Sequence, residues 1–526
     1  MTNALVMAID AGTGSCRAII FDTKGDEIGA AQREWTHHSD PAVPSSFDFD
    51  TEANGKLIDA VISEALSRAA VRPDQIRAVS TTSMREGIVI YDRQGKEIWA
   101  CPNIDSRASA EAEALVESGV AAKVFQIAGD WVSITTPARL KWIAAHRPDI
   151  LSRARHIGLI SDWAATRLTG EFWTEPSAGS STALFDIGQR TWSGELFDVL
   201  DIDLSICPPV VESGSQIGKV TAEAAARTGL AQGTPVIAGG GDTQLGLLGL
   251  GRRVGDGTLI GGSFWQMTVL LDHPFIDPAR GPRTLCHARP GQWMVEGIGF
   301  LTGLSLRWFR DAFCDLEKRI ADEKGVPVFD LLMDTAASVP PGANGVTAVM
   351  ANVMQSDSWV QASPTLLGFD FNDPEGHGKA AALRAIMESA AYVSYSHRLE
   401  LERVTGTRFD AIQFTGGGAR GSLWPQIIAD VMGLPVSIPQ NRETTALGCA
   451  MLAAVGGGLF ANLDEARAML SPIERVVEPD AARHEAYKNF HARWHAINDA
   501  MVMLADAGVT QPMWKPAGAI RRGGAK

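Results

Sequence analysis

The sequence predicts an α/β protein of two domains, and three observations carry that prediction. At 526 residues the chain is longer than one hydrophobic core normally serves. A hairpin pattern with a glycine tip occurs near the N-terminus and recurs about 250 residues later, which reads as an internal duplication. Around these hairpins, strand-like apolar runs alternate with helical ones, as in an α/β chain. The division falls near residue 248, giving an N-terminal domain of 1–247 and a C-terminal domain of 248–526 that ends in a helix.

The elements follow in order. LVMAID, SCRAIIFD and EIGAAQREW read as three strands, separated by the turns AGTG and TKGD. Residues 55–70 place Leu57, Val61, Ala65 and Ala69 on one helical face. IRAVSTTS is a strand, and VIAGGGD at 236–242 is a strand running into a glycine turn. GTLIGGSFWQMTVLLD at 257–272 repeats the opening pattern of strand, glycine turn and strand. A long helix covers 379–403, and 411–438 reads as strand, glycine loop, helix and strand. TTALGCAMLAAV at 444–455 is a helix of small residues suited to close packing, and 481–507 is a final amphipathic helix. The tail after Trp514, ending GAIRRGGAK, is expected to fray.

Composition narrows the function. Lysine and arginine number 47 against 61 acids, and the net charge of −14 disfavours nucleic acid or an anionic membrane as the main partner. No apolar run approaches the roughly 18 residues of a membrane span, and the N-terminal stretch, interrupted by Asp10, does not read as a secretory signal. Six scattered cysteines without CxxC spacing read as reduced core thiols, so a cytoplasmic protein is expected. The glycines cluster as AGTG, GGGD, IGGS and TGGGARG, which suggests backbone brought close to a ligand.

AIDAGTGS is like a dinucleotide-binding turn only superficially, because that motif needs a helix after its glycines and SCRAIIFD is strand-like. As a hairpin tip, its backbone N–H groups can form a nest for an anion, with the hydroxyls of Thr13 and Ser15 as further donors around Gly14. Asp10 stands just before the tip, where a carboxylate could hold Mg²⁺ directly or through water. The alternative is a plain β-turn with a capping aspartate. The second tip, Gly261, Gly262 and Ser263, favours the phosphate reading, since two facing tips would grip a polyphosphate from both sides. In TGGGARGSLW, glycines between a strand and a helix would let backbone approach a base or ribose. An NAD site is the alternative there, but no other part of a dehydrogenase is visible.

Asp242 follows a buried strand and three glycines, so its carboxylate is expected to face a cleft and to accept a proton from an attacking hydroxyl. A helix N-cap is the competing role. Arg85 and Glu86 offer adjacent donors and acceptors to neighbouring hydroxyls, against the alternative of a solvated ion pair. Residues 103–107 (NIDSR), with Asp105, repeat that theme. His491 and His495 lack the glutamate of a zincin and read as surface or packing residues, and Trp35, Trp99 and Trp265 read as core.

In their order and spacing, AIDAGTGSCRAIIFD, GGGDTQLG, TGGGARGSLWPQIIADVMGLPV and RETTALGCA resemble the FGGY carbohydrate kinase family, over nearly the whole chain. The resemblance implies an α/β fold of two actin-like (ribonuclease H-like) ATPase domains with the active site in the interdomain cleft. It implies ATP and Mg²⁺ as cofactors and a small sugar or polyol as substrate. It makes Asp242 the catalytic base and Asp10 the Mg²⁺-associated aspartate. Thr13, Gly14 and Ser15 match the first phosphate loop, and Gly262 and Ser263 match the second. Gly303, Gly417 and Gly418 match nucleotide contacts, and Arg85 and Glu86 match the substrate-hydroxyl pair, with Asp105 near them. Arg307 stands where some relatives have a nucleotide-contacting glutamine, Ser422 where some have an asparagine, and Gly14 where many have a second threonine.

Within the family, SMREGIVIYD, EIWACPNIDSRAS, IGGSFWQM, LTGLSLRWFRDAFC and MWKPAG most resemble kinases of the linear autoinducer-2 precursor, 4,5-dihydroxypentane-2,3-dione. A kinase of erythritol, another tetritol or a pentulose is the nearest alternative. Ile134 stands in the segment where glycerol kinases have a substrate-contacting tyrosine, which argues against glycerol. An actin- or chaperone-like ATPase would share the phosphate loops but have no need of Arg85 and Glu86, and a sugar sensor would bind without turnover. Oligomeric state is not legible in the sequence, with a homodimer among the options.

Overall fold

A computed structural model describes residues 4–358, 360–441, 443–470, 472–516 and 518–519. Two sheets organise it. The N-terminal one orders its strands Gln216–Lys219, Pro235–Gly241, Ile76–Ser83, Leu5–Ala11, Ser15–Phe21 and Glu27–Glu34. The C-terminal one orders Arg283–Cys286, Trp293–Gly299, Trp265–Leu271, Gly257–Gly261, Ile412–Thr415, Val436–Pro439 and Ile473–Val477. Both contain the same unit: an antiparallel three-strand meander whose first strand pairs in parallel with a later strand, which pairs in parallel with another. The duplication inferred from the two hairpins therefore extends to whole sheets.

The strand patterns follow from position. Leu5–Ala11 is central and buried along its whole length, so it reads as a continuous apolar run. Glu27–Glu34 lies at the edge and is largely exposed, which suits EIGAAQRE. The helix Thr51–Ala69 starts where the Asp50 side chain accepts from the Ala53 N–H and ends at Ala70, in the left-handed region at φ 51°. Its buried face, including Ile58, Val61, Ile62 and Ala65, joins Leu5, Met7 and Ile9 in the N-terminal core.

The helix Thr444–Gly456 comes from the C-terminal half but packs with Asp242–Gly249 on the N-terminal sheet, its Leu447, Ala450 and Met451 sharing a core with Val6, Ala8 and Ile237. The two helix backbones touch at glycines: a Cβ on Gly448 would lie 1.9 Å from the Leu245 carbonyl oxygen, and one on Gly249 would lie 2.0 Å from that of Thr444. The run of small residues in TTALGCAMLAAV is thus a contact requirement.

One region did not stand out in the sequence. Ile88–Tyr91, Glu97–Cys101 and His156–Leu159 form a small separate sheet, and with the helices Ser109–Glu117, Val120–Ala128 and Thr136–His146 they enclose a core around Phe125, Trp131 and Trp142. Of the tail expected to fray, Gly518 is held in place. Gln361 and Trp514 exchange backbone hydrogen bonds, the Trp514 ring stacks on Phe300 at 4.1 Å, and the Trp131 indole N–H donates to the Gly518 carbonyl at 2.8 Å. Trp514 and Gly518 are thus docked by an aromatic stack and three hydrogen bonds; 517 and 520–526 lie outside the described residues. No helix among the described residues is long and apolar enough to cross a membrane.

Candidate active site

Three parallel strands of the N-terminal sheet finish side by side. Asp10 pairs in register with Thr82, Ala11 with Ser83, and Ser83 with Gly241. The chain leaves these carboxyl ends into residues 12–14, into Arg85 and Glu86, and into Asp242, so the expected site residues meet at one edge of the sheet. At the first tip, the Trp35 indole N–H donates to the carbonyls of Gly12 and Thr13 at 3.1 Å each, the Trp35 backbone N–H donates to Gly14, and His37 Nε2 lies 2.7 Å from the Thr13 carbonyl. With its carbonyls tied back, the tip keeps the N–H groups of Thr13 and Gly14 out of any hydrogen bond among the described residues. A cradle for an anion needs such donors. Trp35 is therefore more than core packing.

Asp10 faces Arg17 across the hairpin; Arg17 Nη2 donates to Asp10 Oδ2 at 2.7 Å and Nη1 to Glu443 Oε2 at 2.6 Å. Burial pushes the Asp10 carboxyl above its ordinary value, with Arg17 pulling the other way. Among the described residues no group of three or more histidines, cysteines or acids is arranged to hold a metal. A Mg²⁺ ion bound by one carboxylate, with phosphate oxygens and water as its other ligands, fits this donor set.

Asp242 opens the helix Asp242–Gly249 in its first turn; Gly241, not Asp242, is the N-cap. Its Oδ1 accepts from the Thr243 N–H at 2.6 Å and lies 3.7 Å from Arg85 Nε. The side chain keeps 41% of its surface exposed, so it opens on the cleft. The cleft walls nonetheless strip much of its hydration, and this desolvation outweighs Arg85 and raises its pKa to about 6, with Asp10 and Glu86 adding to the rise. Thr243 Oγ1 is 3.4 Å from Gln266 Oε1, so the C-terminal lobe's hairpin reaches the same spot.

Arg85 and Glu86 are not a solvated pair. Both are buried, and each is paired with the other lobe: Arg85 Nη1 donates to Glu296 at 2.7 Å and Arg283 Nη1 donates to Glu86 at 2.9 Å. Glu86 sits in the left-handed region at φ 62°, costly for a non-glycine residue by about 1–3 kcal/mol. Its N–H donates to Ser181 Oγ, and its carbonyl accepts from Arg139. Asp105 is fully buried behind this wall, accepting from the Phe47 N–H at 2.9 Å and from Arg107 at 2.7 Å. It braces its loop and does not line the cleft. Asn103 is the member of that loop that reaches the first tip, donating to Thr13 Oγ1 at 3.1 Å.

In the C-terminal lobe, Gly262 and Ser263 form the exposed second tip, and the Gly303 N–H donates to the Ser263 carbonyl at 3.2 Å. A Cβ on Gly303 would lie 1.8 Å from the Gly262 carbonyl oxygen, and one on Gly416 would lie 2.7 Å from that of Gly261. The tip, the start of the helix Thr302–Phe313 and the loop carrying Gly417 and Gly418 are therefore one assembly. Arg307 is exposed one turn beyond Gly303, and Ser422 is exposed at the start of the helix Leu423–Met432. Trp265 packs beneath, against Phe414 and Trp424. His491 is buried against Ser396, and His495 is exposed.

Arg17, Glu443, Asp130, Arg283 and Glu296 belong to this site without having been singled out, and Asn103 was noted only as part of 103–107. Arg17 was findable, because a tip at residues 12–14 sets it opposite Asp10. Asp130, Arg283 and Glu296 carry no local signal.

Comparison with known proteins identifies the family. The N-terminal domain of the FGGY family of carbohydrate kinases matches residues 5–249, and its C-terminal domain matches 264–457. A protein of Yersinia enterocolitica named autoinducer-2 kinase is 44% identical over 98% of this chain and 98% of its own length. One of Yersinia pestis with the same name is 43% identical over 98% and 97%. Among solved structures, xylulose kinase from Rhodospirillum rubrum superposes with a TM-score of 0.82 at 26% identity, covering 94% of this chain and 99% of that one. Glycerol kinase of Plasmodium falciparum with ADP shares the fold, with a TM-score of 0.80 at 18% identity over 94% and 98%. Both lobes match one family in order, and relatives align from end to end: the chain belongs to the FGGY family of carbohydrate kinases.

Proposed function

We propose that the chain transfers the γ-phosphoryl group of ATP to the terminal hydroxyl of 4,5-dihydroxypentane-2,3-dione, giving its 5-phosphate. The carbohydrate-kinase part rests on family membership; the substrate rests on full-length relatives named autoinducer-2 kinase. In this reading residues 1–247 bind substrate and phosphate, and residues 248–526 bind the nucleotide.

The observation that carries the chemistry is the Asp242 carboxylate, open to the cleft at the ends of three parallel strands and within reach of both lobes. Arg85 donates to the substrate's hydroxyls and Glu86 accepts from them. Asp242 takes the proton of the attacking hydroxyl; the new O–P bond forms as the bond from the γ-phosphorus to the bridging oxygen breaks, and ADP leaves with that bond's electron pair. The N–H groups of Thr13 and Gly14, the hydroxyl of Ser15 and the second tip at Gly262 and Ser263 hold the phosphates. Gly303, Gly417, Gly418, Arg307 and Ser422 form the nucleotide's wall. When bound, Mg²⁺ neutralises phosphate charge, with Asp10 as the protein's contribution. Closure of the lobes excludes water, which would otherwise compete as acceptor.

The test is a coupled ADP-release screen over dihydroxypentanedione, erythritol, pentuloses and glycerol. Rapid turnover with the dione is expected. If the dione is inert and erythritol is consumed, the substrate assignment fails and the kinase stands. ADP release independent of any acceptor, and unchanged in Arg85→Ala, would instead reveal an ATPase.

A further inference from the structure

Arg85 and Glu86 are held by groups that the N-terminal lobe does not own. Arg283 and Glu296 are register partners on the adjacent C-terminal strands Arg283–Cys286 and Trp293–Gly299, and Arg283 Nε donates to Glu296 Oε1 at 2.5 Å. The same Glu296 oxygen accepts from Arg85 Nη1 at 2.7 Å, and Arg283 Nη1 donates to Glu86 Oε1 at 2.9 Å and to Asp130 Oδ2 at 3.1 Å. The side chains are 0–8% exposed. Two arginines and three carboxylates are thus buried together, although buried ion pairs add little net stability compared with apolar packing. Stability does not account for the cluster.

Its geometry does. With Oε1 occupied by Arg283, Glu86 has only Oε2 without a hydrogen bond among the described residues, and Arg85 is similarly pinned at Nη1. The Glu86 carboxylate thus presents Oε2, and the anchored Arg85 guanidinium presents its remaining N–H groups, to a hydroxyl. The docking of this strand pair is specific: the Thr284 N–H donates to the Gly129 carbonyl at 3.0 Å, and the Cys286 N–H donates to Ser180 Oγ at 3.0 Å.

We propose that Arg283 and Glu296 are positioning residues for the substrate pair Arg85 and Glu86, so that a pocket for a neutral polyhydroxy chain is complete only when the two lobes are joined. This rests on the kinase reading above. Asp130, Glu86, Glu296 and Asp242 outnumber the two arginines, so the pocket disfavours acceptors bearing a carboxylate or phosphate.

The experiment measures KM separately for the accepted polyol and for ATP in Arg283→Gln, Glu296→Gln, Arg283→Lys and the pair Glu86→Gln with Arg283→Gln. The polyol KM should rise at least about tenfold in each glutamine variant, while the ATP KM stays within about twofold. Arg283→Lys, which keeps the charge but loses the fork, should recover part of that loss. In the Glu86→Gln background, Arg283→Gln should add less than it does alone, since the link to Glu86 is already broken and only those to Glu296 and Asp130 remain to be lost. Unchanged polyol KM, equal rises in both KM values, or full additivity overturns the inference. If the glutamine variants do not fold, Arg283→Lys decides alone: a wild-type polyol KM overturns the inference, and a selective rise supports it. Wild-type protein without acceptor-dependent ADP release removes this inference and the kinase reading together; an active wild type with indifferent variants removes only this one.

Discussion

At the scale of single residues, Asp242 is the base of the proposed reaction. Desolvation sets its carboxyl near 6, so the base is ionised above that pH and protonated below it. We expect kcat/KM for the polyol to fall as pH drops through about 6 and to level off above 7, measured by ADP release across pH 5–8. Asp242→Asn should lower kcat by roughly 10²–10⁴-fold with the fold intact by circular dichroism. Near-normal turnover would take Asp242 out of the reaction. Arg17 acts one step back: it is the cation that compensates buried Asp10, and it also binds Glu443. Arg17→Gln leaves two carboxylates without it, so the Mg²⁺ concentration for half-maximal rate should change by severalfold while the polyol KM does not.

Elements meet where side chains have been removed. Ala is about 1 kcal/mol better than Gly inside a helix, so propensity alone would favour Gly303→Ala in Thr302–Phe313. A Cβ 1.8 Å from the Gly262 carbonyl outweighs that preference, because backbone cannot rotate aside. Gly303→Ala should push the second tip away and raise the ATP KM about tenfold or more, with a smaller effect on the polyol KM. Gly448→Ala drives a Cβ to 1.9 Å from the Leu245 carbonyl, in the helix that carries Asp242. Overpacking of this kind costs about 1–3 kcal/mol. A lower melting temperature together with a lower kcat is expected; a gain in melting temperature would show that the helices can separate without harm.

Across the whole molecule, both sides of the cleft are tied. Trp514 stacks on Phe300, which contacts Phe264 beside the second tip at 4.8 Å, while Gly518 accepts from Trp131 of the opposite lobe. Asp130, the neighbour of Trp131, belongs to the Arg283 cluster. The C-terminal segment thus links the second tip to the Arg283 cluster across the two lobes. Trp514→Ala removes the stack, worth about 0.5–1.5 kcal/mol beyond its area. It should lower the melting temperature by a few degrees and raise the ATP KM, and an unchanged value of both would leave the segment without a mechanical role.

The sequence by itself determined the repeated hairpins, the glycine tips, the small-residue helix and the family, because each is written in a short window: a period-two run, a turn that needs glycine, an ordered set of motifs. That Asp10, Thr13 and Asp242 stand at or just beyond strand ends was legible for the same reason. Only the tertiary structure decided that Asp105 turns inward to brace a loop, that Trp514 and Gly518 dock, and that Arg283 meets partners 153 and 197 positions away while Arg85 meets Glu296 at 211. A buried charge is placed by whichever surface closes over it. That surface belongs to the other lobe, so no local pattern around Arg85 or Glu86 records it.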